Sequence, residues 1–300
     1  MVYRNFGELI EKVQSTELKK RVAVVVAQDK HTLEAVFKAK EDNIVEPILI
    51  GNKSEIKEIL NSLQIEFDDN DIIQVEDDVE AATKAVELVH SNKADFIMKG
   101  KIQTADLLKA VVDKEKGLRT GRVMSHLVLH EIPGYHKLLG VTDGGMMMYP
   151  NLEEKKQIIE NAVYTLRTIG YECPKVAVLA AVEKINPNMP ETVDAGSLKE
   201  MNQNGILKDC TVEGPISYDL VMSRESAEIK GFISPVTGET DILIVPNITV
   251  GNILGKSLVY SGGAKMAGFI VGAKVPIVLT SRGSTAEEKY LSIALSAATR

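Results

Sequence analysis

The run Val22-Ala-Val-Val-Val-Ala27 is apolar at every position and rich in β-branched side chains, so neither face of the strand it forms can meet water. Such a strand belongs in the middle of a sheet covered on both sides, which places helices between successive parallel strands. The residues that follow supply that alternation. Leu33, Val36 and Phe37 recur at helical spacing within 31–43, a second short apolar run occupies 47–50, and Gly51 closes it. Helices over 53–63, 79–91 and 103–116 alternate with strands over 72–75 and 95–98, which predicts a parallel sheet with right-handed crossovers. A second series begins after 117–150, where Asn151 and Glu154 spell a helix start and Gly170 a stop. Strands over 175–180, 242–245 and 277–280 then alternate with helices near 193–203, 250–260 and 285–298. A length of 300 residues suits two α/β domains.

Composition narrows the partners. Lys plus Arg number 35 against 42 Asp plus Glu, a net charge of −7, and phosphate-backbone binding wants the opposite sign. No nucleic-acid partner is expected. Cys173 and Cys210 stand outside any CxxC or Cys/His ligand spacing, so neither a disulfide framework nor a structural zinc site is expected, and reduced thiols suit a cytoplasmic location. The first fourteen residues carry charges throughout and lack an apolar core, and no run approaches eighteen apolar residues. Neither a secretory signal nor a membrane partner is expected. Eight carboxylates between Glu66 and Glu80, without one Lys or Arg, read as a solvated loop and helix start.

The chemistry concentrates where the last apolar strand ends in Ser281-Arg282-Gly283 and a helix opens. Open α/β sheets bind ligands at strand carboxyl ends. A helix N-terminus offers unpaired N–H groups, Gly283 permits close backbone approach, and the Arg282 guanidinium matches phosphate oxygens, which together make an anion cradle. Plain helix capping competes for the same residues. Ser284 with Glu287, or Thr285 with Glu288, fits the S/T-x-x-E box, and only the first register leaves Glu288 free. Lys99-Gly100-Lys101 with Thr104 repeats the grammar after the strand over 94–98, as a second phosphate contact or a solvated strand exit. Arg119, in Gly117-Leu-Arg-Thr-Gly121, either reaches a ligand or sits in a surface turn. His126 and His130 are separated by Leu-Val-Leu, which fits a strand better than a zinc-binding helix. Met146 to Met148 can line an apolar slot or fill core. The glycines of 261–268 lack the GxGxxG order and follow a helix, so a dinucleotide fingerprint is not supported.

Taken together these residues resemble the phosphate acyltransferase family of phosphate acetyl- and butyryltransferases. The resemblance spans nearly the whole chain and is most specific in Ser234-Pro-Val-Thr-Gly238, Asp241-Ile-Leu-Ile-Val-Pro-Asn247, Gly251-Asn-Ile253, Ser261-Gly-Gly-Ala264 and Leu279-Thr-Ser-Arg-Gly-Ser284. GLRTGRVMSH (117–126) and DGGMMMYP (143–150) resemble the butyryl branch. The resemblance implies two α/β domains like those of isocitrate and isopropylmalate dehydrogenases, with a cleft between them. It implies 1–131 plus 269–300 as the first domain, 132–268 as the second, and a homodimer or higher homo-oligomer. It also implies reversible transfer of a short or branched acyl group between coenzyme A and inorganic phosphate, directly in a ternary complex, with coenzyme A as substrate and no metal or other cofactor. Acyl-CoA and phosphate are thus the expected partners.

By the same resemblance the catalytic serine falls on Ser281, the phosphate-binding arginine on Arg282, and the general-base aspartate on Glu288, one methylene longer. Lys99, Gly100, Thr104, Arg119, Asn252 and Gly283 are the expected substrate-binding residues. A family arginine meets Lys109, with Arg119 available to supply the charge instead. Physically, Ser281 can hydrogen-bond the carbonyl oxygen as it becomes an oxyanion, while Arg282 and the helix N-terminus neutralise phosphate charge. Moving a thiol proton onto a free carboxyl crosses about four pKa units, roughly 6 kcal/mol. The competing readings are a metal-dependent oxidative decarboxylase of the related dehydrogenase fold and a non-catalytic acyl-CoA-sensing module.

Overall fold

The computed structural model describes residues 2–281 and 283–299. In chain order the first elements are α1 (Phe6–Gln14), β1 (Lys20–Val25), α2 (Lys30–Glu41), β2 (Val45–Gly51), α3 (Lys53–Ser62), β3 (Ile72–Gln74), α4 (Asp78–His90), β4 (Phe96–Lys99) and α5 (Thr104–Val111). Next come β5 (Ser125–Glu131), β6 (Leu139–Thr142), α6 (Leu152–Thr168), β7 (Lys175–Leu179), α7 (Pro190–Gln203), β8 (Thr211–Ile216), α8 (Tyr218–Met222) and α9 (Arg224–Lys230). The chain ends with β9 (Ile242–Ile244), α10 (Ile248–Tyr260), β10 (Lys265–Val271), β11 (Ile277–Val278) and α11 (Ala286–Ala298). It forms two compact units, 7–122 with 267–300 and 1–6 with 123–266.

In the unit built from 7–122 and 267–300, β1 is flanked in parallel by β2 and β4, and Val22 to Val25 are fully buried. That is the central position its two-sided apolar pattern requires. β11 returns from the end of the chain and joins β4 in parallel, Ile277 opposite Ile97 and Val278 opposite Met98. β10 runs antiparallel to β11, a departure from the all-parallel expectation, because only a short connection separates the two. α5 ends at Val111, well short of 116. The Asp113 carboxylate accepts the amides of Glu115 and Lys116 and turns the chain, and the Leu118 amide returns to the Val111 carbonyl. The acidic stretch is consumed locally as expected. Asp77 caps α4, Glu80 accepts the Glu76 amide, and Asp69 pairs with Lys53 and Lys57.

The other unit orders its strands β5-β6-β9-β7-β8, antiparallel only at β5/β6. The expected boundaries differ from this division. β5 pairs with β6 through Val128 and Val141, so 123–131 goes with the following strands. The N-terminal residues go there too: the Tyr3 hydroxyl donates to the Ile169 carbonyl at 3.0 Å, and the Phe6 amide to Glu131 at 2.8 Å. α6 starts on the predicted box, with Asn151 and Glu154 capping reciprocally. Among the described residues no helix is long and apolar enough to cross a membrane.

His126 and His130 lie on strand β5, as their spacing predicts. His130 is 1% exposed and neither ring nitrogen has a hydrogen-bond partner. Burial holds its pKa down to about 4, and burial likewise lowers His126 against the opposing pull of the Asp143 carboxylate. The unfolded chain therefore takes up a proton near pH 6.5 that native His130 refuses until about pH 4. The stability this contributes is whole above pH 6.5 and lost as acid passes through that window, about 3 kcal/mol at most. His130→Leu should flatten the decline of unfolding free energy between pH 7 and 4.5 by about 1–3 kcal/mol in denaturant melts. Parallel pH profiles for the two proteins would refute this origin.

Candidate active site

Three parallel strands, β1, β4 and β11, end at the same edge of one unit, and their exits carry most of the predicted residues. At the β1 exit Val26 takes φ 55°, a left-handed conformation that a β-branched residue rarely adopts. Its carbonyl accepts the Lys101 amide at 2.8 Å, while the Gly100 amide donates to the Val25 carbonyl at 2.9 Å. The β1 and β4 exits are thereby stitched together. A Cβ on Gly100 would sit 2.2 Å from the Val26 oxygen, so glycine is needed here for backbone packing. Lys99 is buried, its ammonium 3.3 Å from the Gly100 carbonyl. Thr104 is the exposed first residue of α5, and Gln103 before it makes no side-chain cap hydrogen bond.

At the β11 exit Ser281 is exposed, its hydroxyl oxygen accepting the Gly283 amide at 3.3 Å and its carbonyl the Ser284 amide at 3.1 Å. Arg282 lies outside the described residues. Gly283 contrasts with Gly100: a Cβ there would meet no protein atom within 4 Å. The missing side chain leaves open space instead of relieving a clash. Thr285 decides the capping register. Its hydroxyl accepts the Glu288 amide at 3.1 Å, and the Glu288 carboxylate accepts the Thr285 amide at 3.2 Å. Glu288, half-buried, therefore has one oxygen engaged in closing the helix start, and Ser284 is not the cap.

The sequence reading overlooked a polar cluster beneath this edge. Asp29 caps α2, accepting the Thr32 amide at 2.9 Å and the Thr32 hydroxyl in a short bond. Lys289 of α11 reaches the same group from the far end of the chain. Burial pushes the Asp29 carboxyl up, but Thr32 and the Lys289 ammonium outweigh it and hold it below the usual carboxylate range. One signal was available: Asp29 immediately precedes the helical pattern, in the position of an N-cap.

Arg119 does not lie at the Ser281 edge, and Asn252 belongs to the other unit. Arg119 bridges Ala273, four residues ahead of β11 and so at the opposite, amino end of that strand. The Thr120 hydroxyl bonds the Gly272 carbonyl and the Lys274 amide the Leu118 carbonyl, which holds the loop at that edge. Asn252 is on α10, where its amide donates to the Gly144 carbonyl at 3.4 Å. There Gly251 and Gly144 pack backbone to backbone, and the buried Asp143 carboxylate accepts the amides of His126, Gly145, Met146 and Met147. Among the described residues no group of three or more His, Cys, Asp or Glu is placed to hold a metal ion.

The β11 exit thus combines an exposed serine, an unobstructed glycine and a helix start at a strand carboxyl end, where open α/β sheets place ligands. The profile of the phosphate acetyl/butaryl transferase family matches residues 6–83 and 75–297. The chain belongs to this family. It is a phosphate acyltransferase. Over 98% of its length it is 45% identical to the phosphate butyryltransferase of Clostridium acetobutylicum, covering 97% of that protein. It is also 46% identical, over 93% of its length, to the phosphate acetyltransferase of Thermotoga maritima, covering 94% of it. The crystal structure of a branched-chain phosphotransacylase from Enterococcus faecalis V583 superimposes with a TM-score of 0.81 at 34% identity, covering 92% of this chain and 97% of that one. The fold extends to a 4-hydroxythreonine-4-phosphate dehydrogenase from Burkholderia phymatum, at a TM-score of 0.56 and 16% identity over 95% of this chain and all of that one. The fold is therefore one that phosphate acyltransferases share with dehydrogenases.

The two glycines of the site should respond oppositely to the same change. Gly100→Ala drives a methyl group into the Val26 carbonyl and should cost about 1–3 kcal/mol of stability. Gly283→Ala should stay within about 0.5 kcal/mol of the parent. Equal denaturation midpoints for the two variants would contradict the packing described.

Proposed function

We propose that this phosphate acyltransferase moves a short or branched acyl group reversibly between coenzyme A and inorganic phosphate, directly and within one ternary complex. The observation that carries the reading is the β11 exit, where Ser281 and the open space at Gly283 stand at the start of α11. In the direction of acyl-CoA formation the thiol sulfur attacks the acyl phosphate carbonyl, the C–S bond forms, the bond between the carbonyl carbon and the bridging oxygen breaks, and phosphate leaves with that oxygen and the electron pair. Ser281 donates a hydrogen bond to the carbonyl oxygen as negative charge develops there. Arg282, with the first amides of α11, neutralises the phosphate, and the exposed Thr104 offers a further anion contact at the neighbouring exit, where the Gly100 amide and the Lys99 ammonium are already engaged. Glu288 takes the thiol proton on the oxygen that the cap leaves free. Holding thiol and carbonyl in line supplies much of the remaining acceleration.

The butyryl-like character of GLRTGRVMSH and DGGMMMYP favours a short branched or four-carbon chain, although identity to acetyl and butyryl relatives is nearly equal. One methylene changes pocket binding by about 1–3 kcal/mol. Comparing kcat/KM for acetyl-, butyryl-, isobutyryl- and isovaleryl-CoA with phosphate, by thiol release, tests the reading. No thiol release with any of them would overturn it, and a preference for acetyl-CoA would overturn the chain-length assignment.

The protein acts, in this reading, as a homodimer in the cytoplasm. Of the apolar helix α10, ITVGNILGKSLVY, only Gly251 and Leu258 are buried, while Ile253 and Tyr260 are 61% and 80% exposed. Sedimentation should give a mass twice the 32.8 kDa of the chain, and Ile253→Glu should shift it towards the monomer. An unshifted mass would place the contact elsewhere.

Two substitutions separate the chemical roles. Arg282→Gln should fold normally yet lose about 10²-fold in kcat/KM for phosphate. Glu288→Gln keeps the cap, since glutamine serves equally at that position of the box, but removes the base. Its melting temperature should hold while turnover falls by about 10²-fold or more. Retained turnover would reduce Glu288 to a helix cap.

A further inference from the structure

The carboxyl edge holds a charged group for which the transfer reaction has no evident use. Lys289 follows Glu288 on α11 and is 6% exposed. Its ammonium lies 3.1 Å from the Thr32 hydroxyl, 3.3 Å from the Thr280 hydroxyl and 3.6 Å from the Asp29 carboxylate. An ammonium in such a place is costly to desolvate, and an aliphatic side chain would fill the same space without that cost. What the charge adds is direction. Its three partners come from two separate places, the start of α2 and the segment that leaves β11, and Lys289 itself sits on α11. Thr280 is the residue immediately before Ser281. The Asp29 carboxylate is already committed to the Thr32 amide and hydroxyl, so the acceptors around the ammonium are held in fixed positions before it arrives.

We propose that Lys289 is a positioning residue for acyl transfer: by donating to the Thr280 hydroxyl from a site anchored on Asp29 and Thr32, it fixes the backbone from which Ser281 projects. The inference rests on the reading of that turn as the active site. Among the described residues, pairing of β11 with β4 covers Ile277 and Val278 and stops three residues short of Ser281. A displacement of the serine hydroxyl by a fraction of an ångström is enough to lose turnover, whereas binding of the coenzyme, spread over many contacts, is less sensitive.

The test is a double-mutant cycle on turnover. Thr280→Val removes the acceptor and leaves the Lys289, Asp29 and Thr32 contacts in place. Lys289→Met removes the donor, and Asp29→Asn with Lys289→Met removes the pair without stranding a carboxylate. Thr280→Val should lower kcat about tenfold with KM for acyl-CoA within about twofold and a nearly unchanged melting temperature. Lys289→Met should lower kcat at least as far, and the Thr280→Val/Lys289→Met double variant should be no slower than Lys289→Met alone. Wild-type kcat in Thr280→Val, or fully multiplicative losses in the cycle, would overturn the proposal and leave Lys289 as a tie between α11 and α2. If Lys289→Met does not fold, the Asp29→Asn/Lys289→Met pair replaces it in the cycle on the same criteria. Ser281→Ala is measured alongside. Full activity there would discard the site reading itself, whereas lost activity there with an unaffected Thr280→Val discards only the positioning role.

Discussion

Two residues of parallel pairing, Ile277 beside Ile97 and Val278 beside Met98, bring the end of the chain back to a sheet begun more than 250 residues earlier. Without that register α11 would not lie across α2, and Ser281 would not share an edge with Gly100 and Thr104. The pairing works because β4 already has β1 on its other side and offers a fully buried edge of Phe96 to Lys99. A parallel arrangement then sends all three exits the same way, where helix starts face ligand.

At that edge groups expected to act in the chemistry also serve folding. Gly100 is a packing requirement, Gly283 is not, and the difference is visible only in what surrounds each. Glu288 joins its helix cap while carrying the expected role of proton acceptor. The two uses are compatible because a carboxylate has two oxygens and the box needs one. Below the turn the buried Lys289 ammonium reaches Asp29, Thr32 and Thr280, the residue before Ser281.

The second unit solves different problems. Its β6 exit is folded back by Asp143, whose carboxylate gathers four backbone amides, and is pressed against α10 through paired glycines. His130 remains neutral inside this unit because burial opposes its protonation. Asn252, expected to bind substrate, is tied into the same loop through Gly144. α10 packs on the core through Val250, Leu254 and Leu258, while Ile253 and Tyr260 stay exposed within the chain.

Much of this was legible in order along the chain. The two-sided apolar run at 22–27, the alternation of strands and helices, the box at Asn151 and the strand ending in Ser281 are patterns of a few neighbouring residues, and local burial and capping rules are enough to read them. The antiparallel placement of β10 and β5, the choice of Thr285 over Ser284 as cap, the location of Arg119 at the opposite edge and the burial of Lys289 were decided by tertiary structure. The last two depend on partners remote in sequence: Arg119 bridges Ala273, and Lys289 and Thr32 are 257 residues apart, a separation at which no periodicity or motif encodes a hydrogen bond. Sequence by itself determined the parallel strands around 22–27, 47–50, 95–98, 175–180, 242–245 and 277–280 with the helices between them, and marked the Ser281 turn as a candidate for holding an anion. Only the folded chain determined which charges stand beneath that place, because desolvation and hydrogen bonding act on whatever packing brings together.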